Sequence, residues 1–253
     1  MTTFTAIIPA RYASTRFPGK PLAILGDKPV IQHVYERASS VLDNVLVATD
    51  DSRILDAVYA FGGKAVKTGT HHRSGTDRCR EAYVNAASTA DVVINIQGDE
   101  PFIAPQQIEL LMHCFEDPHT HIATLARRYD PANGIDGLVD PNLVKVVFGH
   151  DGRALYFSRS VIPYVRNVEP AKWLEATVFH THVGVYAYRA DVLEQLSEQS
   201  PGELEVAESL EQLRWLQNGY NIKVAVTDAP TIGIDTPADL DAARKYLESH
   251  GNA

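Results

Sequence analysis

An α/β fold, with a mostly parallel central sheet, helices on both faces and an antiparallel insertion in the second half, is what this sequence predicts. Three observations carry it. Short apolar runs alternate with segments of helical period through the first half. Those runs are apolar at consecutive positions, as strands covered on both faces are. Beyond residue 140 the rhythm changes to paired strands around a tight turn.

Taken in order, Thr5 to Ile8 is the first strand, and Val30 to Ser40 a helix with Ile31, Val34, Tyr35 and Ala38 on one face. Val45 to Ala48 is a strand, and Ser52 to Phe61 a helix burying Ile54, Val58 and Phe61. Asp50-Asp51 supplies its N-cap and Gly62-Gly63 its stop. Val92 to Ile96 and Pro105 to Phe115 repeat the strand-helix pattern. Leu143 to Phe148, the turn His150-Asp151-Gly152 and Ala154 to Phe157 read as a β-hairpin. Val183 to Tyr188 is another strand. Leu204 to Leu216 reads as one long amphipathic helix presenting Val206, Leu210, Leu213 and Leu216, with Glu203, Glu205, Glu208 and Glu211 on a solvated face. After the strand Ile222 to Val226, Thr236-Pro237-Ala238-Asp239 opens the last helix with a cap, a proline at the first helical position and an early acid. No repeat, linker or low-complexity segment interrupts the chain. The reading is one domain over residues 1–253, with the antiparallel insertion at about 129–190.

Composition narrows the function. A chain of 253 residues buries an adequate core without staples. Its 23 basic and 32 acidic residues give a net charge of −9 with no basic stripe, which excludes nucleic acid and anionic membranes as generic partners. Cys79 and Cys114 lack CxxC spacing and fit a reducing compartment, the cytoplasm; neither reads as a nucleophile. Met1 to Ala10 lacks the features of a signal peptide, and no apolar stretch approaches the ~18 residues of a membrane span.

Against that acidic background, cations concentrate in Pro9 to Leu22, directly after the first strand, where open α/β sheets place ligands. Arg11, Arg16 and Lys20, with small residues such as Ser14 between them, suit a polyphosphate. A plain basic surface loop is the alternative, and Pro9, Pro18, Gly19 and Pro21, which stiffen the segment, weigh against it. Neither GxxxxGK[ST] nor GxGxxG is present, which removes Walker-type ATPases and Rossmann dehydrogenases. Gln97-Gly98-Asp99-Glu100-Pro101 follows another strand, so Asp99 belongs at the same sheet edge, with Asp235 as a second carboxylate. Two such oxygens facing a triphosphate suit Mg²⁺; singly, each residue reads as a turn residue or a cap. The pairs His71-His72, His119/His121 and His180/His182 lack the cysteine or HExxH spacing of zinc sites, so no zinc is expected. His182 differs by opening an apolar strand, which directs it toward the cleft.

Nine ordered blocks resemble the 3-deoxy-manno-octulosonate (Kdo) cytidylyltransferase family nearly end to end: IIPARYASTRFPGKPL (7–22), VATDD (47–51), SGTDR (74–78), NIQGDEP (95–101), PNLVKVV (141–147), ALYFSRSVIP (154–163), HVGVYAYR (182–189), LEQLRWL (210–216) and GIDTPADL (233–240). Departures are mild, with Asp77 where the family commonly has Glu and HVGVY where HLGIY is usual. Residues 165–179 match weakly and carry nothing over. The resemblance implies a nucleotide-diphospho-sugar transferase-like fold and an enzyme that joins CTP and Kdo into CMP-Kdo and diphosphate for lipopolysaccharide biosynthesis. It also implies Mg²⁺ and a homodimer. By the same resemblance Arg11 and Lys20 hold the triphosphate, Asp99 and Asp235 bind Mg²⁺, and Ala10, Ser74, Gly75 and Arg78 line the nucleoside side. Gln97, Arg159, His182, Tyr186, Glu211 and Gln212 contact the sugar acid. Two rival readings are a cytidylyltransferase for another 2-keto sugar acid, 8-amino-Kdo or sialic acid, and a non-catalytic nucleotide sensor. The joint presence of Arg11, Lys20, Asp99 and Asp235 speaks against the sensor.

Overall fold

The computed structural model describes residues 2–250; Met1 and residues 251–253 of the expected 1–253 domain lie outside them. In chain order the elements begin with β1 (Phe4–Ala10), β2 (Ile24–Leu25), β3 (Lys28–Pro29), α1 (Val30–Ser39), β4 (Val45–Thr49), α2 (Ser52–Ala60) and β5 (Ala65–Lys67). Next come α3 (Gly75–Asn85), β6 (Val92–Asn95), α4 (Pro105–His113), β7 (Ile122–Arg128), α5 (Gly134–Val139), β8 (Lys145–Phe148) and β9 (Ala154–Ser158). The rest are α6 (Trp173–Ala176), β10 (His180–Arg189), α7 (Ala190–Ser197), α8 (Glu203–Glu208), α9 (Glu211–Gln217), β11 (Ile222–Thr227) and α10 (Pro237–His250). By their contacts they divide into two compact units. One holds the chain up to Glu109, Arg189–Ser197 and the chain from Pro230; the other holds Leu110–Tyr188 and Glu198–Ala229. Among the described residues no helix is long and apolar enough to cross a membrane.

In the first unit β6, β1, β4 and β5 lie side by side, all parallel. Ala6, Ile7 and Ile8 on β1 and Val92, Val93 and Ile94 on β6 are fully buried at consecutive positions, so both faces of these strands are covered, as their unbroken apolar runs require. The helix α1 buries Val30, Ile31, Val34 and Ala38, while half-buried Tyr35 accepts the Lys64 N–H through its hydroxyl. Asp51 caps α2 by accepting the Arg53 N–H, and Gly62 takes a left-handed φ of 82° where that helix stops. At the start of α10, Thr236 Oγ1 accepts the Asp239 N–H and Asp239 Oδ2 accepts from Thr236 N and Oγ1, the reciprocal box expected from Thr236-Pro237-Ala238-Asp239. Ile234, Leu240 and Ala243 pack with Leu25, Val30 and Phe102, which fixes Asp235 in place.

In the second unit β7 pairs parallel with β11 and antiparallel with β10, whose register shifts between Val183 and Tyr186. β8 pairs antiparallel with β10 and β9. The β8–β9 hairpin is the expected one, closed by Gly152 N–H donating to Gly149 O, with Gly152 at a φ of 77°. The expected fold class, parallel sheet with helices and an antiparallel part, is the one found. Residues 165–179, which matched the family weakly, place Trp173 in an apolar cluster with Tyr129, Leu138 and Phe179.

Three expectations are corrected. The segment read as one helix from Leu204 to Leu216 breaks into α8 and α9 at Ser209, whose φ is 51°. A left-handed residue ends a helix whatever the hydrophobic period around it, and the break leaves Val206 exposed while Leu210 and Leu213 are buried. The glutamates read as a solvated face are also engaged: Glu205 pairs with Arg214 at 3.2 Å, and Glu208 accepts from Ser158 Oγ and Arg159 N, each at 2.7 Å. In addition, His182 is the third residue of β10 rather than its first.

Candidate active site

The loop after β1 folds back on itself. Tyr12 O accepts the N–H groups of Ser14 and Gly19 at 2.9 and 2.8 Å. Gly19 has a φ of 73°, and a Cβ there would sit 3.1 Å from the Tyr12 ring, so glycine answers both the conformation and the contact. The Arg53 guanidinium lies over the same ring, 3.3 Å from its centroid, and is held by Asp51 at 2.6 Å. The cap of α2 thereby braces the loop. At the end of β6, a Cβ on Gly98 would come 2.8 Å from Pro9 O, so this backbone approach needs glycine too.

A cleft of about 340 Å³ opens at these strand ends, within the first unit. It is lined by Ala10, Arg11, Ser14, Arg16 and Lys20 from the first loop. Ser74, Gly75 and Arg78 enter from the start of α3, Gln97 and Asp99 follow β6, and Asp235 precedes α10. Every residue expected to bind nucleotide or metal is therefore brought together. The buried Lys20 Nζ donates to Asp99 Oδ2 at 2.5 Å and to Asp235 Oδ1 at 3.1 Å. Arg16 Nη2 reaches Asp235 Oδ2 at 3.0 Å. Two carboxylates converging on one cation form an all-oxygen donor pair of the kind Mg²⁺ takes, so the residues fit that ion. Burial, with the charge of Asp99 beside it, pushes Glu100 up to about 7.

Arg78 forms the buried floor of the cleft. Its Nη1 donates to Thr68 Oγ1 at 2.6 Å and lies 3.1 Å from Asp50 Oδ1, while its Nη2 has no hydrogen-bond partner. Burial and the neighbouring charge of Arg11 pull its pKa down, against the opposing pull of Asp50. A buried donor without a partner at the floor of a polar cleft is suited to a ligand acceptor. Ser74 has a second job: its Oγ accepts the Asp77 N–H and caps α3.

Of the residues expected at the sugar acid, Gln97 lies in the first unit and the others in the second. The rings of His182 and Tyr186 are 5.3 Å apart, and Trp215 meets Tyr186 edge-on at 5.1 Å. His182 Nε2 bonds Thr124 Oγ1 at 2.9 Å, and burial pushes the imidazole down to about 3. Burial, reinforced by the charge of Glu211, raises the Tyr186 hydroxyl well above its ordinary value. Gln212 is buried with its Nε2 unpartnered, and Glu211 pairs with Arg214 at 2.9 Å. Arg159 donates to three backbone carbonyls, Glu208 O, Pro141 O and Ser209 O, which leaves two of its five N–H groups.

The sequence reading missed Tyr12 and Arg53, which brace the phosphate-side loop, and Asp50 and Thr68, which hold Arg78. It also missed Thr124, Glu208 and Trp215. A tyrosine between Arg11 and Ala13, in a loop rich in cations and small residues, was a weak signal for the first; nothing local marks the rest.

Comparison with known proteins adds three findings. Residues 5–223 match the family model described as Cytidylyltransferase. The 3-deoxy-manno-octulosonate cytidylyltransferase of Phocaeicola vulgatus is 58% identical over 97% of this chain and 97% of its own. That of Porphyromonas gingivalis is 50% identical over 99% and 98%. A solved structure of CMP:2-keto-3-deoxy-manno-octonic acid synthetase complexed with CTP superposes with a TM-score of 0.90 at 45% identity, covering 98% of this chain and 99% of that one. At 15% identity, the 4-diphosphocytidyl-2C-methyl-D-erythritol synthase of Anaerococcus prevotii shares the fold, with a TM-score of 0.59 over 98% and 99%.

Proposed function

Because the chain belongs to the cytidylyltransferase family, we propose that this nucleotidyltransferase joins CTP to Kdo, releasing diphosphate and leaving CMP-Kdo. The observation that carries the reading is the cleft in which Lys20 spans Asp99 and Asp235 beside the unpartnered Nη2 of buried Arg78. In the reaction the anomeric hydroxyl of the sugar attacks the α-phosphorus and diphosphate leaves. Arg11, Arg16 and Lys20 supply fixed positive charge where negative charge grows on the departing oxygens, so they stabilise the transition state more than bound CTP. Ala10, Ser14, Ser74, Gly75 and Arg78 orient the nucleotide. Asp99 and Asp235 would hold Mg²⁺, which when bound neutralises phosphate oxygens and acidifies a hydroxyl.

The sugar acid falls to Gln97, Arg159, His182, Tyr186, Glu211 and Gln212. With its pKa at about 3, His182 is neutral at ordinary pH and acts as a hydrogen-bonding ring rather than a cation. The countercharge to the sugar carboxylate therefore comes from Arg159, whose remaining N–H groups can grip two oxygens. Incubation of the protein with CTP, Mg²⁺ and each of Kdo, 8-amino-Kdo and sialic acid, with diphosphate release as the readout, tests the assignment. Fastest turnover of Kdo supports it. Equal or faster turnover of another acid overturns the choice of sugar, and CTP binding without diphosphate release from any acid supports the sensor.

We place the reaction in lipopolysaccharide biosynthesis, in the cytoplasm, where the free thiols of Cys79 and Cys114 stay reduced. A homodimer is the expected assembly. Light scattering at micromolar concentration should give twice the chain mass.

A further inference from the structure

Outside the cleft, the segment between β5 and α3 gathers a second set of ligand-type side chains. His71, His72 and Glu81 each offer one ligand atom, and those atoms all lie within 4.8 Å of one another. The histidines were set aside in the sequence because no metal-site spacing joins them; their third partner arrives from a position on α3 that no zinc motif anticipates. His72 Nε2 hydrogen-bonds Glu81 Oε2, and the His71 ring lies over that of His72 with centroids 4.4 Å apart. The carboxylate is held from behind: Gly69 N–H donates to Oε2 at 2.9 Å and Asn85 Nδ2 to Oε1 at 3.3 Å.

From this geometry we infer a binding site for a divalent ion of the zinc type, with His71, His72 and Glu81 as protein ligands and a fourth position open to water. Two imidazoles and a carboxylate are the donor set such ions take, whereas Mg²⁺ prefers oxygen alone. The site is thus chemically distinct from Asp99 and Asp235. Zinc-type bonds of about 2.0–2.2 Å put neighbouring donors roughly 3.3 Å apart, so the hydrogen-bonded His72 and Glu81 atoms move apart to admit the ion, while no ligand atom starts more than 4.8 Å from another. For Nε2 to take the ion, the His72–Glu81 hydrogen bond gives way to two metal bonds, and a neutral His72 ring carries its proton on Nδ1 instead. The donors from Gly69 and Asn85 then act as the outer hydrogen bonds that orient a ligating carboxylate. Since Ser74, Gly75 and Arg78 lie between His72 and Glu81 in the chain, an ion here ties residues 71–72 to α3 about one turn beyond the part of that helix lining the cleft.

The test titrates the full-length protein with Co²⁺ in saturating Mg²⁺, following the visible d–d bands. One equivalent with four-coordinate bands is expected. His71→Ala, at an exposed position, should weaken binding by at least ~10-fold while diphosphate release in Mg²⁺ alone stays at the wild-type rate. Glu81→Gln should weaken it by at least as much, and Asp99→Asn should leave it unchanged. Absence of saturable binding, wild-type affinity in His71→Ala, or loss of binding in Asp99→Asn would each overturn the site.

Discussion

In the first unit's cleft both carboxylates share one cation, Lys20, and Asp235 also pairs with Arg16, so charge is kept and paired. Around His182 and Tyr186, in the second unit, burial has driven charge out: one ring is held neutral down to about pH 3 and the other keeps its proton far above its ordinary range. The difference follows from the ligands proposed. A triphosphate is recognised by charge and backbone N–H groups, which work at a wet surface. A sugar acid has one charge and many hydroxyls, so shape and hydrogen bonding in a desolvated nest discriminate it, and a single arginine carries the charge.

If that contrast is right, substitutions in the cleft act on turnover. Asp99→Asn and Lys20→Ala should each lower kcat at saturating CTP by on the order of 10²–10³-fold, while circular dichroism stays native. Asp99→Asn should also need far more Mg²⁺; unchanged kcat and Mg²⁺ dependence would reduce Asp99 to a turn residue. A smaller effect belongs to the sugar side. Arg159→Lys should raise KM for the sugar acid about 10-fold and leave KM for CTP alone, because lysine cannot reproduce a planar two-point grip. Equal shifts in both KM values would blur the two regions.

A third test uses protons. Between about pH 6.5 and 3 the unfolded chain protonates His182 and the folded one does not, so protons bind preferentially to the unfolded state and stability falls as pH falls through that window. His182→Gln should make the urea midpoint decline less between pH 7 and 5; an unchanged slope would mean His182 titrates normally. Least of all should Val206→Ser matter. On an unbroken helix from Leu204 to Leu216 this side chain would share a buried face, but it is exposed beside the break at Ser209, so the change in stability should stay within about 0.5 kcal/mol. A loss several times larger, measured by urea unfolding, would restore the single helix.

The cleft was legible in the sequence for the reason that makes it work. Three cations within ten residues stand out against a net charge of −9, and strands with unbroken apolar runs announce where their carboxyl ends are. The cluster around His182 and Tyr186 in the second unit was readable, apart from the place of His182 at an apolar strand, by resemblance. Its contacts join residues far apart in the chain, such as Thr124 to His182 and Arg159 to Glu208, and no local period encodes them. The break at Ser209 was invisible for a different reason. Hydrophobic periodicity counts side chains, and a single left-handed φ turns the chain without altering that count.

Lys20 gives the cleft an internal counterion, and this has a thermodynamic consequence. The same ammonium occupies the carboxylates proposed for a metal and is the charge proposed for a triphosphate. On that proposal, whichever ligand came first would remove part of the other's competition: nucleotide would draw the lysine off Asp99 and Asp235, and a divalent ion held by those oxygens would free the lysine for phosphate. The two affinities are therefore coupled positively, and by linkage each must raise the other by the same factor. Replacing Lys20 with an uncharged residue removes the competitor, so the coupling between nucleotide and metal should shrink even where each still binds.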